Sequence, residues 1–550
     1  MMRFSIGTDD FKKLRTTVTP DGQRPFYVDK SLFIEDLLND TSEVIVLPRP
    51  KRFGKTLNLS MLKYFFDMTE NNTDLFVGLK IAEHKNIMDE WQGKYPVVFI
   101  SFKSLKCDSF EKLEKALKIT ISNCYREHKY LLTSEQLDQL DREKIQPYFS
   151  KNFEESDLTY VLKDLTEMLK KHHDQHVVVL IDEYDTPLQE AYLKGFYEEA
   201  ITPLRNMLGE VLKGNDYLFK GVVTGITRIA RESFFSGVNN LNVYDITSNK
   251  FAQYFGFTEK EILMICDPAH LDDLKSWYNG YTFGDNLTIY NPWSVLNFLS
   301  REYKFAPYWI NTSSNDLIRE MLTADKLENT KSLIDGHSID IEIEPFTVMD
   351  NLKGNNTAFW NLLFMSGFLT LNVNKKMRIP NKEIRYFFEK IVLKWFRGHG
   401  DGDFFKDFLD ALLDGDIDGV QSVLSRIVKE AFSFQDGTKK QQESFYHGIL
   451  LGITLSLKKR YNVKSNRESG YGLFDIALFP KDPKKDPGVI IEIKTKSSVD
   501  KAIEQIQSKA YSTELYEQGC SIIHLYGMKF DGKKVSTKLI TEKPKAGVAK

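Results

Sequence analysis

Apolar positions in the first half of the chain fall into two patterns, short β-branched runs and longer stretches with helical spacing. Residues 177–181 (VVVLI) form an unbroken apolar run, which is typical of a strand buried on both faces. Similar runs at 43–47, 97–102 and 217–224 predict further strands, and amphipathic stretches between them predict helices. Strands that alternate with helices in this way indicate an α/β domain.

The pattern changes twice toward the C-terminus. Residues 272–440 are typical of short helices separated by turns, and we interpret this part as a mostly helical lid and connector. From residue 441 the predicted order becomes helix (443–457), three strands, helix (500–517) and strand (521–530). We therefore predict an α/β multidomain protein with segments at 1–271, 272–440 and 441–550, in line with the roughly two to four domains expected for this length.

Composition narrows the class of protein. Hydrophobic residues make up 42% of the chain and charged residues 27%, which is typical of a globular protein and argues against extended disorder. The formal net charge is −3, so any contact with nucleic acid must rest on a local surface. The cysteines are far apart and form no CxxC pair, which argues against a zinc ribbon or a disulfide framework. With no apolar run of membrane-spanning length, we expect a cytoplasmic protein without a membrane partner.

A basic loop after the first strand has the composition of a phosphate-binding site. The sequence LPRPKRFGKT leads from strand residues into a Gly-Lys-Thr that precedes a helix predicted over 57–66. Backbone N–H groups at a helix N-terminus bind phosphate oxygens, a lysine reaches the β- and γ-phosphates, and a threonine hydroxyl ligates Mg²⁺. Arg49 replaces the first glycine of GxxxxGK[ST], so the loop alone also fits a basic turn that opens a helix. The predicted ATP-binding residues are Arg49, Lys51, Arg52, Phe53, Gly54, Lys55 and Thr56.

Two acids end the buried strand at 177–181 and supply the other half of such a site. We expect Asp182 to reach the Mg²⁺ beside Thr56, and Glu183 to polarise the attacking water. A solvated acidic turn would have the same sequence, but both halves in the expected order favour NTP binding. The next strand ends at Thr224, which we expect to contact the γ-phosphate. Arg228 either offsets transition-state charge or lies on a helix surface.

A second acidic set lies in the C-terminal segment. In GVIIEIK, strand periodicity places Glu492 and Lys494 on one face, and Asp475 lies on the preceding strand across the turn-rich residues 480–487. Two carboxylates and a backbone carbonyl form a hard oxygen site for Mg²⁺ or Mn²⁺, and Lys494 would orient a water and neutralise phosphate charge. Glu443, on the preceding helix, can add a carboxylate. Each piece alone fits a solvated strand or a helix end, whereas the set favours a metal-dependent nuclease.

Several longer strings resemble one known family, the bacterial AAA-ATPase-like proteins fused to a PD-(D/E)XK nuclease domain. They are FYVDK at 26–30, RPKRFGKTL at 49–57, FSGVNN at 235–240, WYNGY at 277–281 and YNPWS at 290–294. The resemblance implies an N-terminal P-loop domain with a RecA- or AAA-like α/β sandwich, a mostly helical connector and a C-terminal α/β nuclease-like core. In that family the first Walker glycine is likewise replaced, and ATP and Mg²⁺ are the implied cofactors.

Two further groups of residues in the C-terminal segment are compatible with cleavage of nucleic acid. Gln507 and Tyr511 resemble the QxxxY accessory motif of some PD-(D/E)XK members, although a helix surface pair would look the same. A basic rim suited to phosphate backbones comprises Arg460, Lys464, Arg467, Lys496, Lys501 and Lys509.

We therefore expect an ATP-regulated, Mg²⁺-dependent nuclease that acts on nucleic acid, with DNA favoured. One alternative is an NTP-dependent switch that binds nucleic acid or protein without cutting, and another is an ATPase that remodels a protein partner. The complete set of acids favours the nuclease. The sequence leaves a homo-oligomer open.

Overall fold

The computed structural model of the chain describes residues 3–19, 22–226, 241–310, 318, 321–322, 326–334, 336–343, 355–398, 402–431, 446, 450, 453–454, 457, 459–469, 472–495, 497–531 and 534–543. The chain divides into two compact units. Unit 1 comprises Met1–Leu317 and Ser338–Ile384, and unit 2 comprises Ile318–His337 and Arg385–Lys550. The predicted boundaries at residues 271 and 440 stay predictions.

The helices and strands confirm the mixed α/β class. Among the described residues, the α-helices in chain order are α1 (Phe11–Thr16), α2 (Phe33–Leu38), α3 (Lys55–Phe66), α4 (Lys85–Trp91), α5 (Phe110–Glu127), α6 (Gln139–Ser150), α7 (Val161–His173), α8 (Thr186–Lys194), α9 (Tyr197–Leu212), α10 (Glu259–Ile265), α11 (Leu271–Tyr278), α12 (Pro292–Ser300), α13 (Leu327–Ile334), α14 (Asn356–Met365), α15 (Lys382–Gly398), α16 (Gly402–Asp414), α17 (Ile417–Ala431), α18 (Val499–Ser508) and α19 (Thr513–Glu517). Short 3₁₀ helices cover Thr73–Leu75, Lys80–Glu83, Lys129–Thr133, Ser156–Thr159, Ala252–Tyr254 and Pro268–His270.

A parallel sheet forms the centre of unit 1. Its strands are β1 (Val44–Pro48), β2 (Val97–Ser101), β3 (Val177–Asp182), β4 (Leu218–Gly225) and β5 (Leu241–Val243). They lie in the order β2-β3-β4-β1-β5 and all pair in parallel. Every residue of β1 and β3 is buried, as expected for central strands of a parallel sheet. The carboxyl ends of β1, β3 and β4 therefore meet at one edge, where the predicted nucleotide residues lie.

The part of unit 1 after this sheet adds two small antiparallel sheets and several short helices. It contains the antiparallel strands β6 (Phe257–Thr258), β7 (Tyr281–Phe283) and β8 (Leu287–Tyr290), and the hairpin β9 (Thr370–Leu371) and β10 (Met377–Arg378). Helix α12 begins after Asn291, whose side chain accepts a hydrogen bond from the Ser294 N–H at 3.2 Å, and Pro292 occupies its first turn. The predicted helical middle is thus confirmed, with short strands added.

Unit 2 contains a five-stranded sheet. Its strands are β11 (Tyr461–Ser469), β12 (Gly472–Pro480), β13 (Gly488–Lys494), β14 (Ile523–Asp531) and β15 (Lys534–Glu542). They lie in sequence order; β13 and β14 are parallel and the other pairs antiparallel. The sequence did not predict β15, which lies at the edge of the sheet and has mostly exposed or half-buried residues, so its apolar pattern is weak.

One predicted helix of unit 2 is divided in the structure. The sequence predicted a continuous helix over 500–517, but α18 ends at Ser508 and α19 begins at Thr513. Ala510 between them has φ = 50°, in the left-handed region that interrupts a helix, and the next side chain, Tyr511, is buried. The prediction was wrong here because the burial of Tyr511 overrides the local helical pattern.

Candidate functional site

The backbone at both ends of the loop between β1 and α3 has a well-defined conformation. At its start the Arg49 N–H donates to the Gly225 carbonyl at 3.0 Å, which continues the pairing of β1 with β4. At its end Gly54 has φ = 88°, a left-handed conformation in which a side chain would be strained. Helix α3 therefore begins directly at Lys55, and its first N–H groups lie at the end of the loop, as a phosphate site requires.

The Lys55 ammonium group is held against its own loop. Its Nζ donates to the carbonyl oxygens of Arg49 at 2.9 Å and Pro50 at 3.0 Å. Burial lowers the pKa of Lys55, and the nearby charges of Glu183 and Asp182 oppose that effect. The structure thus brings this cation together with the two acids that the sequence paired with it.

Asp182 joins three elements at the edge of the sheet. Its Oδ2 accepts hydrogen bonds from the hydroxyls of Thr56 at 2.9 Å and Ser101 at 3.3 Å, and its Oδ1 accepts one from Thr224 at 2.8 Å. The side chain is fully buried. Burial raises its pKa, the charge of Glu183 adds to this, and the threonine hydrogen bonds oppose it. A buried carboxylate beside a threonine hydroxyl fits a Mg²⁺ ion, with Thr56 and Asp182 as the residues that would hold it.

Glu183 lies on a tight turn that packs against the end of β4. Its φ of 51° is unusual for a residue with a side chain, and its Oε2 accepts a hydrogen bond from the Thr186 hydroxyl at 3.2 Å. The next N–H, of Tyr184, donates to the Thr224 carbonyl at 3.1 Å. Gly225 makes this packing feasible, because a Cβ there would lie 2.6 Å from the Tyr184 ring.

The Arg49 side chain contacts buried groups of unit 1 beneath the loop. Arg49 has no exposed surface: its guanidinium donates to the carbonyls of Pro48 at 2.8 Å and Tyr244 at 2.5 Å and lies over the Phe255 ring. Burial lowers its pKa to about 10. The Arg49 guanidinium thus supports the loop from beneath, and its predicted contact with a nucleotide stays a prediction.

The three residues after Pro50 differ in their surroundings. Lys51 is half-buried, and the charges of Glu183 and Asp185 act on it. Arg52 is exposed and lies 4.3 Å above the Trp293 ring, whereas Phe53 is fully buried against Tyr281 and Phe283, so Phe53 anchors the loop. Arg228 lies outside the described residues.

In unit 2 the predicted acidic set also converges. Asp475 on β12 accepts a hydrogen bond from the Ile493 N–H of β13 at 2.7 Å, and the Lys494 ammonium lies 2.7 Å from Glu492 Oε1. Glu492 is 2% exposed, and its Oε2 has no hydrogen-bond partner among the residues that the structure describes. Burial first and the Asp475 charge second raise the pKa of Glu492 to about 7, and Lys494 opposes the rise.

This arrangement fits a divalent cation in part. A buried carboxylate whose second oxygen has no partner, beside another carboxylate, is stabilised by either a proton or a metal ion. Within the described ranges, however, no group of three or more His, Cys, Asp or Glu side chains is placed to hold a metal. Glu443, the predicted further carboxylate, lies outside the described residues.

The surroundings of the acidic set differ from the prediction in two respects. The residue that donates to the Tyr511 hydroxyl is Gln505, at 3.4 Å, whereas Gln507 is exposed. In the basic rim, Arg460 is paired with Asp486 and Lys464 with Glu514, so two of the predicted cations are already neutralised. Lys501 and Lys509 are exposed; Lys496 and the Arg467 side chain lie outside the described part.

Residues 5–235 match a family model described as "Predicted AAA-ATPase", and residues 441–539 match one for the PD-(D/E)XK nuclease superfamily. The chain joins an AAA-ATPase-like domain to a PD-(D/E)XK nuclease-superfamily domain. This confirms the fusion that the sequence resemblance implied, with the Thr56–Asp182 pair in the AAA-ATPase-like domain and the Asp475–Glu492 pair in the nuclease-superfamily domain.

A relative from Azotobacter chroococcum mcd 1, named "Uncharacterized protein in vnfD 5'region", is 24% identical over 555 residues, covering 96% of each chain. In the part of the chain that the structure describes, no helix combines the length and the apolar character needed to cross a membrane.

Sequence reasoning missed several residues around the loop between β1 and α3. Ser101 pairs in register with Asp182 across β2 and β3, so recognising those strands as neighbours would have found it. Asp185, fully buried, accepts a hydrogen bond from the Ile226 N–H at 2.9 Å and is visible in the sequence only as an extra acid after Glu183. Trp309, which binds the loop directly, gave no local signal because it lies far from the loop in sequence.

Proposed function

We propose that this protein binds and hydrolyses ATP with Mg²⁺ at residues 49–56, and that its nucleotide state controls a metal-dependent nuclease in the C-terminal domain. The observation that carries the first part is the pair of hydrogen bonds that Asp182 accepts from Thr56 and Thr224, next to the N-terminus of α3. Lys55 would bind the β- and γ-phosphates, and Glu183 would polarise the attacking water.

The nuclease part rests on the convergence of Asp475, Glu492 and Lys494. The two carboxylates would hold Mg²⁺ or Mn²⁺. The ion would stabilise the negative charge that develops on the phosphate oxygens and would lower the pKa of a bound water. Lys494 is half-buried and ion-paired with Glu492, so its ammonium is held in a position from which it can orient water and offset phosphate charge. We favour DNA as the substrate and the cytoplasm as the location.

Nucleotide control is the third element of the proposal. Thr224, next to the last residue of β4, bonds to Asp182, so a γ-phosphate at the loop would act on this strand end and on the residues that follow it. To move a mostly closed nuclease to a mostly open one, ATP must favour the open state by roughly 5 kcal/mol. A γ-phosphate with Mg²⁺ and several charge-assisted hydrogen bonds is strong enough to supply this.

The second candidate function is a switch whose nuclease-fold domain binds nucleic acid or protein without cutting. The ion pairs of Arg460 with Asp486 and Lys464 with Glu514 favour the form of this switch that binds protein, because they leave less positive charge for a phosphate backbone.

One experiment separates the candidates. The purified protein is incubated with labelled single- and double-stranded DNA and RNA, with Mg²⁺ or Mn²⁺, and with or without ATP. The nuclease proposal expects metal-dependent cleavage by the wild type and by Glu504→Gln, an exposed control in the same domain, but not by Glu492→Gln. Binding without cleavage under every condition would support the switch. The absence of both binding and cleavage would contradict the nuclease and also a switch that acts on nucleic acid.

A further inference from the structure

The loop at residues 49–56, called the phosphate loop from here on, is packed against residues of unit 1 that are distant in sequence. The indole N–H of Trp309 donates to the Lys51 carbonyl at 2.9 Å, and the Arg52 guanidinium lies 4.3 Å above the Trp293 ring. Pro50 lies so close to Gly367 that a Cβ at Gly367 would come within 2.8 Å of it. Three successive loop residues are therefore held by residues from outside the parallel sheet.

The hydrogen bond from Trp309 fixes one peptide unit of the loop. In a trans peptide the carbonyl and the following N–H point in opposite directions, so the bond to the Lys51 carbonyl also sets the direction of the Arg52 N–H. Among the residues that the structure describes, the Arg52 N–H has no acceptor. Backbone N–H groups of such loops are phosphate donors, so the orientation of this peptide unit bears directly on nucleotide binding.

Trp309 is itself held by a buried acid. Its side chain is 1% exposed and packs on Phe368, and its backbone N–H donates to Glu383 Oε1 at 2.6 Å. Glu383, at the start of α15, is fully buried, and its Oε2 accepts a hydrogen bond from the Ser294 hydroxyl at 2.7 Å. The Ile310 N–H also bonds to this carboxylate.

Glu383 is an uncommon group to bury. In the described part of the chain no lysine, arginine or histidine acts on its charge, and a buried carboxylate without a cation is costly for folding. Its hydrogen bonds converge on the backbone of residues 309 and 310 and on the first turn of α12. They determine where the Trp309 indole lies, and the indole determines where the Lys51 carbonyl lies.

We propose that Glu383 is a positioning residue for nucleotide binding, which acts through Trp309 to fix the Lys51 peptide of the phosphate loop. The inference rests on the ATP binding proposed for this loop.

The test measures equilibrium binding of ATP and steady-state ATP hydrolysis by full-length variants. Trp309→Phe keeps the ring against Phe368 and removes only the N–H donor, so ATP affinity should fall roughly three- to tenfold, as expected for one hydrogen bond. Glu383→Ala should weaken binding at least as much. Both should raise KM more than they lower kcat, because they alter the loop and not the water-activating acid.

Two further variants separate positioning from general stability. Glu383→Gln keeps an oxygen for the Trp309 N–H and an amide that can donate to the Ser294 hydroxyl, so it should retain wild-type affinity. Trp277→Phe, a matched substitution of a tryptophan that stacks on Phe305 in the same unit, should also leave affinity unchanged. Circular dichroism and thermal unfolding identify any variant that fails to fold.

The outcomes distinguish this inference from the one on which it rests. Wild-type protein that binds ATP no better than Lys55→Ala would overturn the proposed ATP site itself. Tight wild-type binding with unchanged affinity in folded Trp309→Phe would overturn only the role of Trp309. Equal loss in Glu383→Ala and Glu383→Gln would overturn the positioning role of Glu383.

Discussion

Replacement of Glu383 by glutamine should change how the stability of unit 1 depends on pH. Burial raises the pKa of this carboxyl to about 7, although hydrogen bonds from Ser294 and from the Trp309 and Ile310 N–H groups favour its charged form. The titratable groups that act on it from the surrounding elements are the tyrosines Tyr278, Tyr281 and Tyr308, whose pKa values are raised by burial. They stay neutral near pH 7, so among the described residues burial and these hydrogen bonds govern the titration of Glu383.

The size and direction of the effect follow from the pKa. Because the folded-state value of about 7 lies above the ordinary 4.5, the folded protein binds more protons than the unfolded chain between these pH values. The free energy of unfolding therefore falls as pH rises through this window. At about 1.4 kcal/mol per pH unit the loss is about 3 kcal/mol, complete above pH 7. Glu383→Gln has no charge to bury, so relative to the wild type it should gain about 3 kcal/mol between pH 4.5 and pH 8.

The measurement is urea unfolding followed by tryptophan fluorescence at pH 5 and pH 8. Five of the six tryptophans belong to unit 1, so the signal reports mainly that unit. Glu90→Gln, which replaces an exposed carboxylate on α4, is the matched control and should show the same pH dependence as the wild type. A difference between Glu383→Gln and the wild type that stays constant from pH 5 to pH 8 would refute the reasoning, because it would mean that Glu383 does not change its charge in this range.

Four other predictions concern the two sites. Lys55→Ala should abolish measurable ATP turnover, and Glu183→Gln should keep ATP bound while slowing hydrolysis roughly 100-fold or more; wild-type turnover in Lys55→Ala would show that the phosphate loop is misplaced. Asp475→Ala and Lys494→Ala should each remove metal-dependent cleavage but leave ATP hydrolysis measurable, and undiminished cutting by Asp475→Ala would contradict the site. Cleavage rates should differ between ATP, ADP and no nucleotide, and Lys55→Ala should lose that difference; equal rates at fixed free Mg²⁺ would mean that the sites work independently. Gly225→Ala should lower the free energy of unfolding by about 1–3 kcal/mol in urea titrations, because its Cβ would overlap the neighbouring ring, and unchanged stability would show that the turn adjusts freely.

The sequence predicted the features that short stretches of chain determine. The apolar runs of β1 and β3 and the residues that follow them located Lys55, Thr56 and Asp182, because a strand and the loop after it are local in sequence. In the same way, the turn-rich residues 480–487 predicted a hairpin that brings Asp475 beside Glu492.

Features that depend on distant residues could not be predicted in this way. Trp309 lies 258 residues from the carbonyl that it binds, and Glu383 lies 89 residues from Ser294, so no periodic pattern connects them. The buried position of Arg49 likewise depends on Phe255 and Tyr244, which the loop sequence does not reveal. Strand β15 escaped prediction because an edge strand needs few apolar side chains.

The order of residues along the chain determines when each part of unit 1 is synthesised. Residues 318–337 belong to unit 2, and the chain then returns to unit 1 for residues 338–384. A nascent chain that has already made all strands of the parallel sheet still lacks Gly367 and Glu383. At roughly 5–20 residues per second, a ribosome needs on the order of ten seconds to travel from β5 to Glu383. The phosphate loop therefore acquires its final surroundings late, and the acids at 475 and 492 leave the ribosome only after that support has been synthesised.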